Sequence, residues 1–224
     1  MKKATIIITS LACICVLSIR VNAQTTTTTT TTTVGTNGGT TFGIKAGVNF
    51  YNINGKEEGT TLSNKLKPGF TVGVNAEIPI APGFYFQPGL SFITKGTKVT
   101  QSGYDAKYTL NYLELPLNLI YKAGLTQGNV LLGFGPYLGY GIGGKIKTQG
   151  TSTDIKFKST PGTDVNTVYY KPFDAGLNLL AGYEFTNRLS VQLDAQLGVV
   201  NINAYNNNAK YHNTGFGASL EYRF

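Results

Sequence analysis

From Phe42 to the end of the chain, apolar and polar residues alternate in runs of roughly ten, separated by clusters of turn-forming residues. Eight such segments can be read: Phe42–Asn52, Gly69–Pro79, Phe84–Lys98, Lys107–Lys122, Asn129–Lys145, Pro172–Phe185, Leu189–Ile202 and Asn213–Phe224. A period of two sends successive side chains to opposite faces of a strand. One face is apolar along the middle of each segment. It carries Phe42, Ile44, Ala46, Val48 and Phe50 in the first segment and Phe70, Val72, Val74, Ala76 and Ile78 in the second. The fourth gives Leu113, Leu115, Leu117, Leu119 and Tyr121, and the seventh Leu189, Val191, Leu193, Ala195, Leu197 and Val199. Apart from the lysines at the loop ends of segments, Lys98, Lys107 and Lys145, the charged residues of the segments are Lys45, Glu77, Lys95, Glu114, Lys122, Asp174, Glu184, Asp194, Glu221 and Arg223, and all ten take the other parity. Hydrocarbon enforces such sorting, since a Lys or Arg at mid-bilayer costs about 2–4 kcal/mol. The pattern predicts an all-β fold: an eight-stranded antiparallel up-and-down transmembrane β-barrel.

The connections alternate in length. Ile80–Gly83, Ala123–Gly128 and Thr186–Arg188 are short, whereas Ile53–Pro68, Val99–Ala106, Ile146–Lys171 and Asn203–His212 are longer. Short periplasmic turns and longer outer loops are the outer-membrane arrangement, and an even strand number puts both termini on the periplasmic side. The last strand must pair with the first, because lipid offers an open sheet edge no hydrogen bonds. A water-soluble barrel also alternates, with its apolar face inside. Two features favour the membrane form. The polar face is rich in glycine (Gly43, Gly47, Gly135, Gly141, Gly143, Gly176 and Gly217 among others), as a narrow lumen requires. Aromatics also gather at the strand ends, as interfacial girdles do. Phe42, Phe84, Phe86, Tyr121, Tyr183, Phe185, Tyr222 and Phe224 lie on the turn side, and Phe50, Phe92, Tyr108, Tyr140 and Phe173 toward the loops. Pro88, Pro116 and Pro136 fall inside strands and are expected at bulges, because proline has no ladder donor.

Composition adds the chain's start. Residues 1–23 read as a signal peptide: Lys2 and Lys3, an apolar run from Ala4 to Ile19, then Val21-Asn22-Ala23 as a small-residue cleavage pattern. Cleavage before Cys13, as in a lipoprotein, is an alternative that Ser10 disfavours. Both cysteines lie in this segment, so the mature chain is expected to carry no thiol chemistry. Residues 24–41, with an unbroken Thr run from Thr25 to Thr33, read as a disordered periplasmic tether, which leaves 42–224 as the barrel.

Several stretches resemble the outer-membrane β-barrel domain common in Bacteroidetes, often called PorT-like or porin-family. They are Phe42-Gly-Ile-Lys-Ala-Gly-Val-Asn-Phe50, Phe86-Gln-Pro-Gly-Leu-Ser-Phe92, Tyr112-Leu-Glu-Leu-Pro-Leu-Asn-Leu-Ile-Tyr-Lys122, Gly133-Phe-Gly-Pro-Tyr-Leu-Gly-Tyr140 and Gly217-Ala-Ser-Leu-Glu-Tyr-Arg-Phe224. The resemblance implies a Gram-negative outer-membrane location. It also implies that Leu220, Tyr222 and Phe224 form a C-terminal signal for the barrel assembly machinery. One branch of the family serves a secretion system, and nothing in this sequence selects that branch.

The inward charges invite two readings, a pore and a plug. An eight-stranded barrel is only wide enough for side chains to fill it, and opposite charges packed there should pair. A lumen charge network is therefore expected, with a narrow solute path as the alternative. Outside the membrane segments, lysines outnumber acids. Lys145, Lys147, Lys156, Lys158 and Lys171 stand on or beside the long connection Ile146–Lys171 and make a candidate basic contact surface. Outer-membrane lipid, lipopolysaccharide phosphates and an envelope protein are the expected partners, and nucleic acid is not. No catalytic residue is expected: His212 is the single histidine, and no positioned nucleophile and base accompany it. No metal or other cofactor is expected either, since no ligand spacing is evident.

Overall fold

The computed structural model describes residues 39–57, 60–61, 64–101, 104–164, 166–205 and 209–224. The expected signal peptide and nearly all of the expected tether lie outside the described residues. Strands occur in the order β1 (Thr41–Glu57), β2 (Thr60–Thr61), β3 (Lys65–Ala81), β4 (Phe84–Gln101), β5 (Tyr104–Leu125), β6 (Gly128–Thr148), β7 (Thr151–Phe157), β8 (Thr167–Tyr170), β9 (Phe173–Phe185), β10 (Leu189–Gly198) and β11 (Lys210–Arg223). Eight of them, β1, β3, β4, β5, β6, β9, β10 and β11, form a closed antiparallel ring. The ring shuts where β1 meets β11, with Gly43 opposite Arg223 and Phe50 opposite Phe216. Phe224 N–H donates to the Phe42 carbonyl at 2.8 Å, which satisfies the chain's last amide.

The alternating pattern becomes an inside-out molecule. Leu193 is 62% exposed and Lys95 is 0% exposed, the reverse of a water-soluble barrel. Rings pair in the outward girdles: Phe84 with Tyr121 at 4.9 Å on the turn side, and Phe50 with Phe216 and Phe70 with Phe92 at 5.6 Å on the loop side. Tyr108 does not belong to the outer girdle. It shares parity with Leu110 and Tyr112, turns inward and packs on a buried apolar cluster.

The prolines keep the ladder in register. Pro88 pairs with Leu117, and the next pair is Ser91 with Glu114, the same step on both strands. Pro116 pairs with Tyr137 and Pro136 with Leu177, also without a shift. The expected bulges at Pro88, Pro116 and Pro136 are thus not there; pairing lapses locally around Pro88 and Pro116 and resumes in phase. Register breaks lie elsewhere, between Leu66 and Thr71 in β3, between Pro79 and Ala81, and between Asn111 and Tyr112 opposite Gly141 and Gly143. The last break turns Gly143 outward, opposite Asn111, although alternation alone had put it on the inner face.

The walls rise well past the bilayer. A tilted strand needs about 9–11 residues to cross, and on β3 the outward apolar row occupies residues 70–80. The expected loop Val99–Ala106 is mostly strand, since the β4–β5 ladder continues to Gln101 opposite Tyr104. The expected loop Ile146–Lys171 is largely folded too. β6 runs on to Thr148, turns at Gln149 and Gly150 and returns as β7, and β8 then adds parallel to β7. Its connection is tied by Asp164, whose carboxylate accepts from Thr167 Oγ1 at 2.7 Å and from Asn166 N–H at 3.0 Å. These two bonds hold the Asp164 carboxyl below the usual carboxylate range. The seventh segment also ends early. β10 stops at Gly198, and Ile202 is a fully buried residue of the apolar cluster rather than a strand end.

Leu179 stands near the middle of the outward row of β9 and is 54% exposed. Leu179→Arg is expected to lower stability by about 2–4 kcal/mol, as for a cation at the bilayer midplane. Urea unfolding in lipid vesicles would measure this. A change below about 0.5 kcal/mol would mean that this face does not touch hydrocarbon.

Candidate functional site: the charged lumen

Inward parity alone delivers the ten charged residues to the lumen, where they gather in three groups along the barrel. Nearest the short turns, Lys122 Nζ lies 2.8 Å from Glu77 Oε1 and 2.7 Å from Glu184 Oε2. Arg223 Nη2 lies 3.3 Å from Glu77 Oε2 and also contacts Glu221 Oε1. Gln192 Nε2 donates to Glu221 Oε2 at 3.2 Å, and Asn129 Nδ2 to Glu184 Oε1 at 3.2 Å. Midway, Lys45 Nζ meets Asp194 Oδ1 at 2.7 Å, and Ser219 Oγ donates to the other carboxylate oxygen at 3.0 Å. A cavity of about 70 Å³ lies beside this pair, lined by Asn49, Asn118, Asn178 and Gln196 among others. Polar side chains line part of it, and it is large enough for water.

Toward the loops, Lys95 is wholly buried. Its Nζ lies 2.8 Å from Glu114 Oε2 and 3.1 Å from Asp174 Oδ2. Three tyrosine rings surround the same ammonium, Tyr137 at 4.2 Å from the centroid and Tyr51 and Tyr112 at 5.3 Å. Cation–π attraction of this kind strengthens when the cation is desolvated. Asn213 Nδ2 donates to Asp174 Oδ2 at 2.9 Å, Gln196 Nε2 donates to Glu114, and Tyr51 donates its hydroxyl to Gln196. Side chains from β1, β4, β5, β6, β9, β10 and β11 thus meet at one level and fill the cross-section. Glycine makes the space: a Cβ at Gly176 would stand 2.7 Å from the Tyr137 ring.

An apolar layer lies beyond. Tyr51, Ile53, Ile93, Leu110, Tyr112, Ile146, Ile155, Tyr170 and Ile202 form one buried cluster, with Tyr108, Phe157, Val168 and Tyr211 packed on it. Phe157 packs on Tyr112, ring centroids 5.2 Å apart, in space that a Cβ at Gly141 would close to 2.3 Å. Part of the connection Ile146–Lys171 therefore points into the barrel. The five lysines of the expected contact surface do not form one patch. Lys145 and Lys147 face outward from β6, Lys156 is exposed on β7, and Lys158 and Lys171 flank the β7–β8 unit. Leu220, Tyr222 and Phe224 all point outward, 54%, 44% and 58% exposed.

Sequence reasoning overlooked the tyrosines and amides of the lumen. Their signal was present: Tyr112 has the parity of Glu114, Tyr51 that of Lys45, and Asn213 that of Glu221. No group of three or more metal-ligating side chains is assembled among the described residues. His212 lies on β11 opposite Asn54.

The family model for the outer membrane protein beta-barrel domain matches residues 22–204. The chain belongs to this family. The fold of this outer-membrane β-barrel also resembles solved structures. OprG from Pseudomonas aeruginosa aligns with a TM-score of 0.50 at 12% identity, covering 83% of this chain and 96% of that one. Neisserial surface protein A aligns at 0.48 and 13% identity, over 84% of this chain and 100% of that one. The attachment invasion locus protein of Yersinia pestis, in complex with the heparin analogue sucrose octasulfate, gives 0.38 at 13% identity, over 82% of this chain and 99% of that one. At such identity the likeness to OprG is one of fold. No curated protein matches the chain by sequence.

Lys95→Met removes the cation between two buried carboxylates and is expected to cost about 3–5 kcal/mol. The triple variant Lys95→Met, Glu114→Gln, Asp174→Asn should recover most of that loss. Urea midpoints in lipid would compare the three proteins, and a single variant as stable as the parent would refute the network.

Proposed function

We propose that this outer-membrane β-barrel is a non-catalytic, non-conducting anchor that holds a folded β-extension, β7 and β8 with the upper parts of β4 to β6, at the outer surface for contact with the envelope or a protein partner. The observation that carries this reading is the double closure of the lumen. The Lys95 cluster draws on seven strands, and the Ile155–Phe157–Ile202 layer stands above it. An eight-stranded interior is filled by its own side chains, so conduction would require both layers to move.

The resemblance of Tyr112–Lys122 and Gly133–Tyr140 to the PorT-like or porin-family barrels of Bacteroidetes supports a place among them, without selecting the branch that serves a secretion system. The C-terminal row Leu220, Tyr222 and Phe224 is read as the signal for the barrel assembly machinery, and residues 1–23 as the export signal. The alternative is a small-solute path or an accessory part of a secretion or uptake complex. The cavity beside Lys45 and Asp194 is the feature that favours a path.

Purified protein in planar bilayers is expected to give no stable single-channel steps. Reproducible unitary conductance from the parent chain would overturn the anchor reading in favour of the pore.

A further inference from the structure

Above the hydrophobic belt the ladder brings lysines directly opposite one another on four successive strands. Lys65 of β3 pairs with Lys98 of β4, Lys98 with Lys107 of β5, and Lys107 with Lys147 of β6. The row ends on β7, where Lys147 faces Ser152. Directly opposed residues of antiparallel strands share a face, with Cβ atoms about 4.5–5.5 Å apart. That face is the outer one. Lys107 has the parity of Leu113, whereas Ala106, Leu110 and Tyr112 of the same strand are buried inside. Lys65, Lys107 and Lys147 are exposed and Lys98 is half-buried.

Like charges directly opposed across a sheet destabilise it, and here three such pairs are consecutive. Lys67 and Lys145 stand nearby on the same outer wall. Lys67 lies outside the apolar row of β3. Burial first, and then the fields of Lys98 and Lys107, lower its pKa. Two carboxylates are near: Asp105 is two residue pairs further out, opposite Thr100 on the same face, and Asp154 faces Lys145. Neither forms an ion pair with these lysines; among the described residues, the exposed ion pair is Lys156 with Asp164. The row is six residues along β4 and β5 from the belt residues Phe92 and Leu113, about 20 Å along the strand. Tilt brings that to roughly 15 Å above the hydrocarbon. The intervening outward positions are Thr94 and Gly96 on β4 and Asn111 and Thr109 on β5. A lysine strip on the outer wall at this height stands above an ordinary headgroup layer, which extends about 5–8 Å beyond the hydrocarbon, at a level that an extended sugar headgroup reaches.

We propose that Lys65, Lys98, Lys107 and Lys147, with Lys67 and Lys145 beside them, form a binding strip for the phosphates of a glycolipid in the outer leaflet. A phosphorylated sugar headgroup supplies fixed anions at this depth and offsets the repulsion built into the row. Lysine stems can adjust the height of each ammonium, since their apolar carbons lie along the wall while the charge reaches the headgroup. The strip rests on this end of the barrel being the outer one. It is independent of whether the lumen conducts, so its failure would leave the anchor reading intact.

The test uses the detergent-solubilised full-length barrel. It is titrated with detergent-dispersed rough lipopolysaccharide bearing its phosphates, with the same material dephosphorylated, and with inorganic phosphate. The parent is expected to bind the phosphorylated glycolipid, and Lys98→Gln/Lys107→Gln to weaken binding about tenfold or more, given roughly 1 kcal/mol for each lysine near an anionic surface. Lys156→Gln/Lys158→Gln should bind as the parent does. Without glycolipid the Lys98→Gln/Lys107→Gln protein should melt above the parent, because repulsion is relieved; with glycolipid the order should reverse. Heat-modifiable gel mobility checks folding, and the single variant Lys107→Gln serves if the double one assembles poorly. Equal binding by parent and variant, equal binding of the dephosphorylated material, or full displacement by inorganic phosphate would overturn the proposal. Tighter binding of a sulfated polysaccharide at the same lysines would overturn it too, by assigning the strip to a surface polymer.

Discussion

Hydrocarbon can neither accept a hydrogen bond nor solvate a charge, and the rest of the structure follows from that constraint. It closes the sheet, since β1 and β11 must pair if neither is to leave an open edge in lipid. It also drives the charges within the apolar belt to one parity and so confines six acids and four bases to a narrow lumen. A confined charge is then stable only when it is paired and its remaining polar atoms are occupied. Amides therefore accompany the ions: Gln192 and Asn129 at the turn end, and Gln196 and Asn213 around Glu114 and Asp174.

The Lys95 cluster shows how much side-chain variety that requirement draws in. Two carboxylates alone would satisfy its charge, yet three tyrosine faces also surround the ammonium, and glycines at facing positions admit the rings. These rings have a second use. Tyr51 and Tyr112 belong both to the polar layer and to the apolar one above it, so the two layers are continuous. Polar closure below and apolar closure above are thus parts of a single packed interior, and β7 supplies its outer lid through Ile155 and Phe157.

Charge is sorted by sign as well as by side. The lumen holds a surplus of carboxylates, whereas the outer wall above the belt holds a surplus of lysines. The inner surplus faces protein groups fixed at short range, as the buried ion pairs show. The outer one meets no such partner across its ladder, where lysine faces lysine on three successive strand pairs. Under the glycolipid proposal, the anions that offset this row lie outside the chain, on the sugar headgroups of the outer leaflet.

Alternation along each segment was sufficient to read the strand number, the ring, the two faces and the ten inward charges, because a period of two is a local property that each strand carries by itself. Tyr51, Tyr112 and Asn213 shared that parity and were legible in the same way once polar parity was taken to include aromatics and amides. Which acid meets which base was not legible, since Lys95 and Asp174 are brought together by ring closure and by the stagger between strands. The register break at Asn111 and Tyr112 reversed the inside and outside of upper β6, turned Gly143 outward and placed Lys147 opposite Lys107. The folded extension was hidden for a related reason. Ile155, Phe157 and Ile202 lie in segments without sustained alternation, and only the open mouth of the finished barrel offers them something to bury against.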